Sequence, residues 1–124
     1  MRLNHVLSVA AALVAAGANA SIVTNGGFEL GSFTPPAQAT MTLNPGSTAI
    51  TGWQVVNDSL AWIGVGNPWG LNAHSGSFFL DLSDYSAGAP FGGIQQVLPT
   101  SAGTQYEVAF YILAVQISGG GRLR

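Results

Sequence analysis

From Ser21 to Val115 the apolar residues alternate with polar ones instead of recurring every three or four positions, and the alternating runs are short and broken by glycine, proline or asparagine. That pattern fits half-buried β-strands, and no stretch shows a helical period flanked by helix caps. The clearest pair of runs is His74-Ser75-Gly76-Ser77-Phe78-Phe79-Leu80-Asp81-Leu82 and, after a Gly/Pro/Ser-rich connection, Gly92-Gly93-Ile94-Gln95-Gln96-Val97-Leu98. The two are expected to be neighbouring strands of one antiparallel sheet. In the first, Phe78, Leu80 and Leu82 face one way, and Ser77, Phe79, Asp81 and Ser83 the other. Asp81 stands out, because aspartate is a poor strand former and a buried unpaired carboxylate is costly. It therefore needs a hydrogen-bond partner, a cation or water.

Other runs complete the pattern. Ser21-Ile22-Val23-Thr24 is short and β-prone, and the turn residues Asn25-Gly26-Gly27 end it before Phe28-Glu29. Residues 31–45, with Pro35 and Pro36, show no period and read as a surface loop. A strand is expected to begin near Thr48 or Ile50, break at Gly52 and resume over Trp53–Asn57, with another over Ser59–Val65. Gly66-Asn67-Pro68-Trp69-Gly70 must be a loop, with Trp69 at its rim. After a turn at Pro99–Gly103, Thr104–Val115 is the longest run. It places Tyr106, Val108, Phe110 and Ile112 on one face and Glu107, Ala109, Tyr111 and Leu113 on the other, apolar enough on both to be a central strand.

The expected class is therefore all-β, an antiparallel β-sandwich over residues 21–115, with 116–124 a tail lacking strand character. Nothing in the sequence would pair on the far side of that last central strand. The sandwich is accordingly expected to be incomplete at its C-terminus, and ~100 residues is small for two well-buried sheets.

Charge narrows the function classes. Among 124 residues there is no cysteine and no lysine, and Arg2, Arg122 and Arg124 all lie near a terminus. Disulfides and thiolate metal sites are thus excluded. The carboxylates Glu29, Asp58, Asp81, Asp84 and Glu107 have no arginine or lysine between Ser21 and Gly121 to pair with. Such a surface repels phosphate, so nucleic acid is not an expected partner, and a hard cation bound through oxygen is the natural counter-charge. Met1 to His5 carries one positive charge, Val6–Ala16 is apolar, and Ala18-Asn19-Ala20 offers small residues at cleavage spacing. Residues 1–20 therefore read as a secretory signal peptide, and the apolar run is short of the ~20 residues a membrane span requires. The protein is expected to be secreted, or associated with the cell surface.

Five motifs in one order, Ile22-Val23-Thr24-Asn25-Gly26-Gly27-Phe28-Glu29, Ile50-Thr51-Gly52-Trp53, Trp62-Ile63-Gly64, Gly76 with Leu80-Asp81-Leu82, and Gly92-Gly93-Ile94-Gln95-Gln96, resemble the domain-of-unknown-function 642 family of plant cell-wall proteins and its bacterial relatives labelled choice-of-anchor C. The resemblance runs from about Ser21 to Ala114. It implies a galactose-binding-like jelly-roll sandwich, similar to carbohydrate-binding modules, in exported proteins associated with walls or extracellular polysaccharide. It also implies a structural calcium near the first strand, for which Glu29 resembles the carboxylate ligand, with loop carbonyls completing the shell. The other reading of Glu29 is a cap on backbone amides. This chain departs from the family in lacking the last strands and a sorting segment.

Sugar-binding faces use aromatic rings for stacking and polar side chains to read hydroxyls. Trp69, Tyr85 beside Asp84, and Phe91 are the candidate rings, and for Trp69 the other reading is a loop anchor that folds back on the core. Asp81 belongs either to such a face or, the favoured reading, to the sheet as a hydrogen-bond acceptor. Trp53 and Trp62 lie in strand patterns and are expected inside. Catalysis is not expected: there is no G-x-S-x-G elbow, H-E-x-x-H or phosphate loop, and strand neighbours His74 and Ser75 point apart. Asn57-Asp58-Ser59 fits a glycosylation sequon. The expected function is an exported, non-catalytic module that binds neutral polysaccharide or cell-wall glycan. The alternative is a surface-matrix protein making protein contacts without binding glycan.

Overall fold

A computed structural model describes residues 21–85 and 89–112. The expected signal peptide (1–20) and tail (116–124), with 113–115 of the last expected strand, lie outside the described residues. Within them the chain is all-β, with strands β1 Thr40–Leu43, β2 Gln54–Val56, β3 Leu60–Gly64, β4 Phe78–Asp81 and β5 Gly93–Gln95. β1 and β4 flank β3 in one antiparallel sheet, and β2 pairs antiparallel with β5 in a second.

β3 is the centre because it is apolar on both faces: Leu60, Ala61, Trp62 and Ile63 are at most 2% exposed. Leu43 of β1 and Val55 of β2 join Leu60, Trp62 and Ile50 in one buried cluster, against which Phe78, Leu80 and Ile94 pack. Both sheets thus contribute to one core, and each fully buried aliphatic side chain stabilises it by about 1.5–3 kcal/mol. Phe33 meets Trp62 edge-on at 5.0 Å and Phe78 lies 5.2 Å from it. Trp62 Nε1 has no hydrogen-bond partner among the described residues, a cost of about 1–3 kcal/mol that this packing must offset.

Four expectations are corrected. The runs at 74–82 and 92–98 are not sheet neighbours: β4 pairs with β3 and β5 with β2. Gly92 shows why, since a Cβ there would lie 2.6 Å from the Ser59 carbonyl oxygen and 2.8 Å from that of Asp58. The backbone passes so close to the end of β2 that β5 is delivered to that strand. Residues 31–45 are not all loop, because β1 forms where Met41 and Leu43 alternate with Thr40 and Thr42 and pair opposite Trp62 and Leu60. Ser21–Thr24 forms no strand. Finally, Thr104–Ile112 is exposed and pairs with nothing among the described residues, although it has the longest β-type pattern. Strand propensity is realised only where a partner offers a ladder of hydrogen bonds, and no neighbour among the described residues does so.

Side chains take the place of a ladder for the first segment. The Asn25 side-chain amide donates to the carbonyls of Leu30 and Thr51, both at 2.9 Å, and its oxygen accepts the Leu30 N–H at 3.0 Å. Trp53 Nε1 donates to the Asn25 carbonyl at 2.9 Å. Gln96, just beyond β5, accepts the Thr24 N–H at 2.8 Å and donates to the carbonyls of Thr24 and Gly52. Glu29 Oε1 accepts the N–H groups of Ser77 and Phe78 at 2.9 and 3.0 Å, capping the start of β4. Gly76, at φ +73°, leaves room for that carboxylate, which a Cβ would strike.

Replacing Asn25 by Ala should therefore cost about 1–3 kcal/mol in denaturant unfolding, since the Leu30 N–H and the Thr51 carbonyl lose their partner together while the Leu30 carbonyl keeps the Thr51 N–H. An effect within about 0.5 kcal/mol, the size expected at a neutral surface position, would contradict this assignment. For Glu29→Ala a smaller loss of about 1–3 kcal/mol is expected, with Glu29→Gln recovering part of it because one amide oxygen remains as acceptor.

Candidate functional site

Two of the candidate rings meet. Trp69 and Tyr85 lie 5.2 Å apart between centroids with planes 30° from parallel, and both are about half exposed. Such a pair is worth about 0.5–1.5 kcal/mol beyond the area it buries.

Each ring is held by a short polar device. Trp69 sits in the Gly66–Gly70 turn, which closes over the side chain of Asn67, the one buried polar residue among those described. Asn67 Nδ2 donates to the carbonyls of Gly64 and Leu71, at 3.0 and 2.8 Å, and Oδ1 accepts the Leu71 N–H at 3.1 Å. A side-chain amide thus links the end of β3 to the far side of the loop. Tyr85 follows β4 in a turn built by Asp81. Asp81 Oδ1 accepts from the Ser83 N–H and hydroxyl, at 2.9 and 2.7 Å, and Oδ2 accepts the Tyr85 N–H at 3.2 Å. The carboxylate that seemed misplaced in a strand is thereby satisfied as a turn-forming acceptor at the strand's end.

The turn holds Asp84 and Tyr85 at φ 45° and 66°. Successive non-glycine residues in the left-handed region are uncommon, and such conformations gather where a site over-determines its geometry. Asp84 Oδ1 accepts the Thr42 hydroxyl at 2.9 Å, tying the turn to β1. Burial pushes the Tyr85 phenol above its ordinary pKa, the neighbouring Thr40 side chain draws it back, and the charges of Asp84 and Asp81 push it further up. The phenol therefore stays protonated, able to donate as well as accept a hydrogen bond.

The other candidates lie apart. Phe91 is about half exposed but has no ring contact with the Trp69–Tyr85 pair. Trp62 is sealed in the core, and Trp53 is partly buried with its ring 5.7 Å from that of Phe28. His74 stacks on Tyr111 at 3.4 Å. At Glu29, Oε1 is committed to backbone amides, so a calcium ion there would have to use Oε2 and loop carbonyls. Among the described residues no three His, Cys, Asp or Glu side chains lie close enough together to hold a metal ion.

Sequence reasoning missed Thr40, Thr42 and Asn67. Thr40 and Thr42 carried a signal, the four-residue alternation with Met41 and Leu43, which the two preceding prolines obscured. No family model, curated protein or solved structure matches the chain.

The raised Tyr85 pKa has a defined consequence for stability. Below the ordinary tyrosine value both folded and unfolded chains hold the proton, so Tyr85 contributes no pH dependence. Above it the unfolded chain ionises first, so stability should fall with rising pH until the folded pKa is passed. Denaturant unfolding across alkaline pH should show Tyr85→Phe losing less stability than the unsubstituted chain. Equal slopes for the two would contradict the assigned shift.

Proposed function

We propose that the protein is an exported, non-catalytic module that binds a neutral polysaccharide, such as a cell-wall or extracellular glycan, through the Trp69–Tyr85 face. The single observation that carries this is the pair of half-exposed rings held by independent polar devices at the ends of β3 and β4. Rings fixed before the ligand arrives lose little conformational entropy on binding. Apolar sugar faces stack on them, while the Tyr85 hydroxyl and the Asp84 oxygen not bonded to Thr42 offer hydrogen-bond partners to sugar hydroxyls, and Asp81 holds Tyr85 in place. The carboxylates of Asp81 and Asp84, with no lysine or arginine anywhere in residues 21–121, favour an uncharged polymer over a uronate-rich or phosphorylated one.

The resemblance of the five motifs supports a galactose-binding-like jelly roll as the complete architecture, with the two antiparallel sheets around one core as its halves. The pattern of residues 1–20 supports export. In this reading Glu29 serves β4 first, and any structural calcium would share its free oxygen.

A second reading, a matrix protein that contacts other proteins and no glycan, is favoured by the exposed apolar side chains at Val108, Phe110 and Ile112. Sedimentation with insoluble neutral polysaccharides separates the two. Retention on at least one polymer, weakened about 10-fold or more by Trp69→Ala and similarly by Tyr85→Ala, is the expected result, given about 1–3 kcal/mol per stacked ring. Retention on none, or retention indifferent to both substitutions, would contradict the proposal.

A further inference from the structure

The outer edges of the two sheets are not equivalent. β2 is closed on the side away from β5, since Val55 accepts the Gly46 N–H at 2.8 Å and donates to the Ser47 carbonyl at 2.9 Å. β4 is capped by Glu29 at its start, and just past its end the Leu82 carbonyl accepts the Gly92 N–H at 2.7 Å. β1 turns back on itself, with the Thr40 N–H on the Ala37 carbonyl. β5 differs. Because Val55 spends both backbone groups away from β5, its opposite number Ile94 must point its own N–H and C=O away from β2. The edge is met at its start, where the Gly92 N–H reaches Leu82, but beyond it the backbone groups of Ile94, and by alternation those of Gln96, meet no group among the described residues. Val97, next along that edge, is 98% exposed.

The same chain carries a segment with a strand pattern that joins no sheet among the described residues. In Thr104–Ile112 the alternating residues Val108, Phe110 and Ile112 are 83, 74 and 81% exposed, and Tyr111 is 75% exposed. The segment does not lie along its own β5. The Ser101 N–H donates to the Tyr106 hydroxyl at 2.8 Å and the Thr104 N–H to the Ser101 carbonyl at 3.2 Å, which folds the connection on itself. At the far end Tyr111 stacks on His74, ahead of β4 in the other sheet.

We propose that the open edge of β5 receives the 104–112 segment of a second copy of this chain, and that the exchange is reciprocal. Donor and acceptor are both present once per chain, so a reciprocal exchange can satisfy both in a closed two-fold pair. Neither part opposes the other electrostatically, because residues 92–100 carry no charge and Glu107, the only charge in the donor, lies on the face opposite Val108, Phe110 and Ile112. An aromatic side chain such as Phe110 buries roughly 150–250 Å². With Val108, Ile112 and the paired backbone of both copies, the contact is on the order of 1,000 Å², the size a specific interface needs. The exchange also supplies the backbone partners that the segment lacks among the described residues.

Sedimentation of the full chain over a range of concentrations should show a reversible monomer–dimer equilibrium. Phe110→Asp should raise the dissociation constant by about 100-fold or more while leaving the tryptophan fluorescence of the fold unchanged, since Phe110 is exposed in the single chain. A chain that stays monomeric at every concentration, or a Phe110→Asp dimer as tight as the original, would overturn the proposal. Because the protein has no cysteine, singly substituted chains offer an independent check that does not rely on that variant. Mixing Val97→Cys with Ala109→Cys under mild oxidation should give a mixed disulfide between copies in excess over either self-pair. If disulfide forms only within a chain bearing both substitutions, the segment closes onto its own edge and the exchange is refuted. None of these readouts involves glycan.

Discussion

The structure depends on side-chain amides and one carboxylate doing for the first segment what a strand ladder usually does. Between Thr24 and Glu29 the backbone has no sheet partner among the described residues, yet it closes one side of the core through Phe28, which packs against the buried cluster and contacts the Trp53 ring. Asn25 and Gln96 satisfy that backbone from opposite ends of the sequence, and Glu29 reaches across to the start of β4. These bonds are strong in aggregate because each side chain serves more than one backbone group, so losing one orphans several groups at once.

The arrangement gives a physical reason for several motifs that otherwise look like scattered small residues. Asn25 lies in the Asn-Gly-Gly turn, Gly52-Trp53 supplies both a carbonyl for Gln96 and a donor for Asn25, and Gly76 clears space for Glu29. The same economy recurs at the candidate site, where Asn67 pins the Trp69 loop and Asp81 builds the Tyr85 turn. A chain poor in ion pairs, with 6% charged residues, fixes its loops with uncharged amides and short carboxylate caps instead.

Several of these features were legible beforehand. Alternation located β3 and β4 because Leu60 to Gly64 and Phe78 to Asp81 are apolar where a core needs them. The Gly-Asn-Pro-Trp-Gly loop and its rim tryptophan followed from turn chemistry alone. What the sequence hid was pairing. Alternation says which side of a strand is buried but not which strand lies beside it, and the tight passage of Gly92 past Asp58 and Ser59 decided that question. Thr104–Ile112 erred in the opposite direction: its pattern was the strongest, yet its structure depends on a partner edge that the pattern does not encode. The meeting of Trp69 with Tyr85 was likewise invisible, since the two are joined only through the register of β3 on β4.

Amide hydrogen exchange tests the stitching most directly. The N–H groups of Thr24, Leu30, Ser77 and Phe78, all bonded to side chains and none within a paired ladder on that side, should exchange as slowly as those of β3 and lose protection together when Asn25 and Gln96 are both replaced by Ala. Exchange of these four at the rate of an open loop, with β3 still protected, would show that the first segment merely rests on the core and would contradict the account.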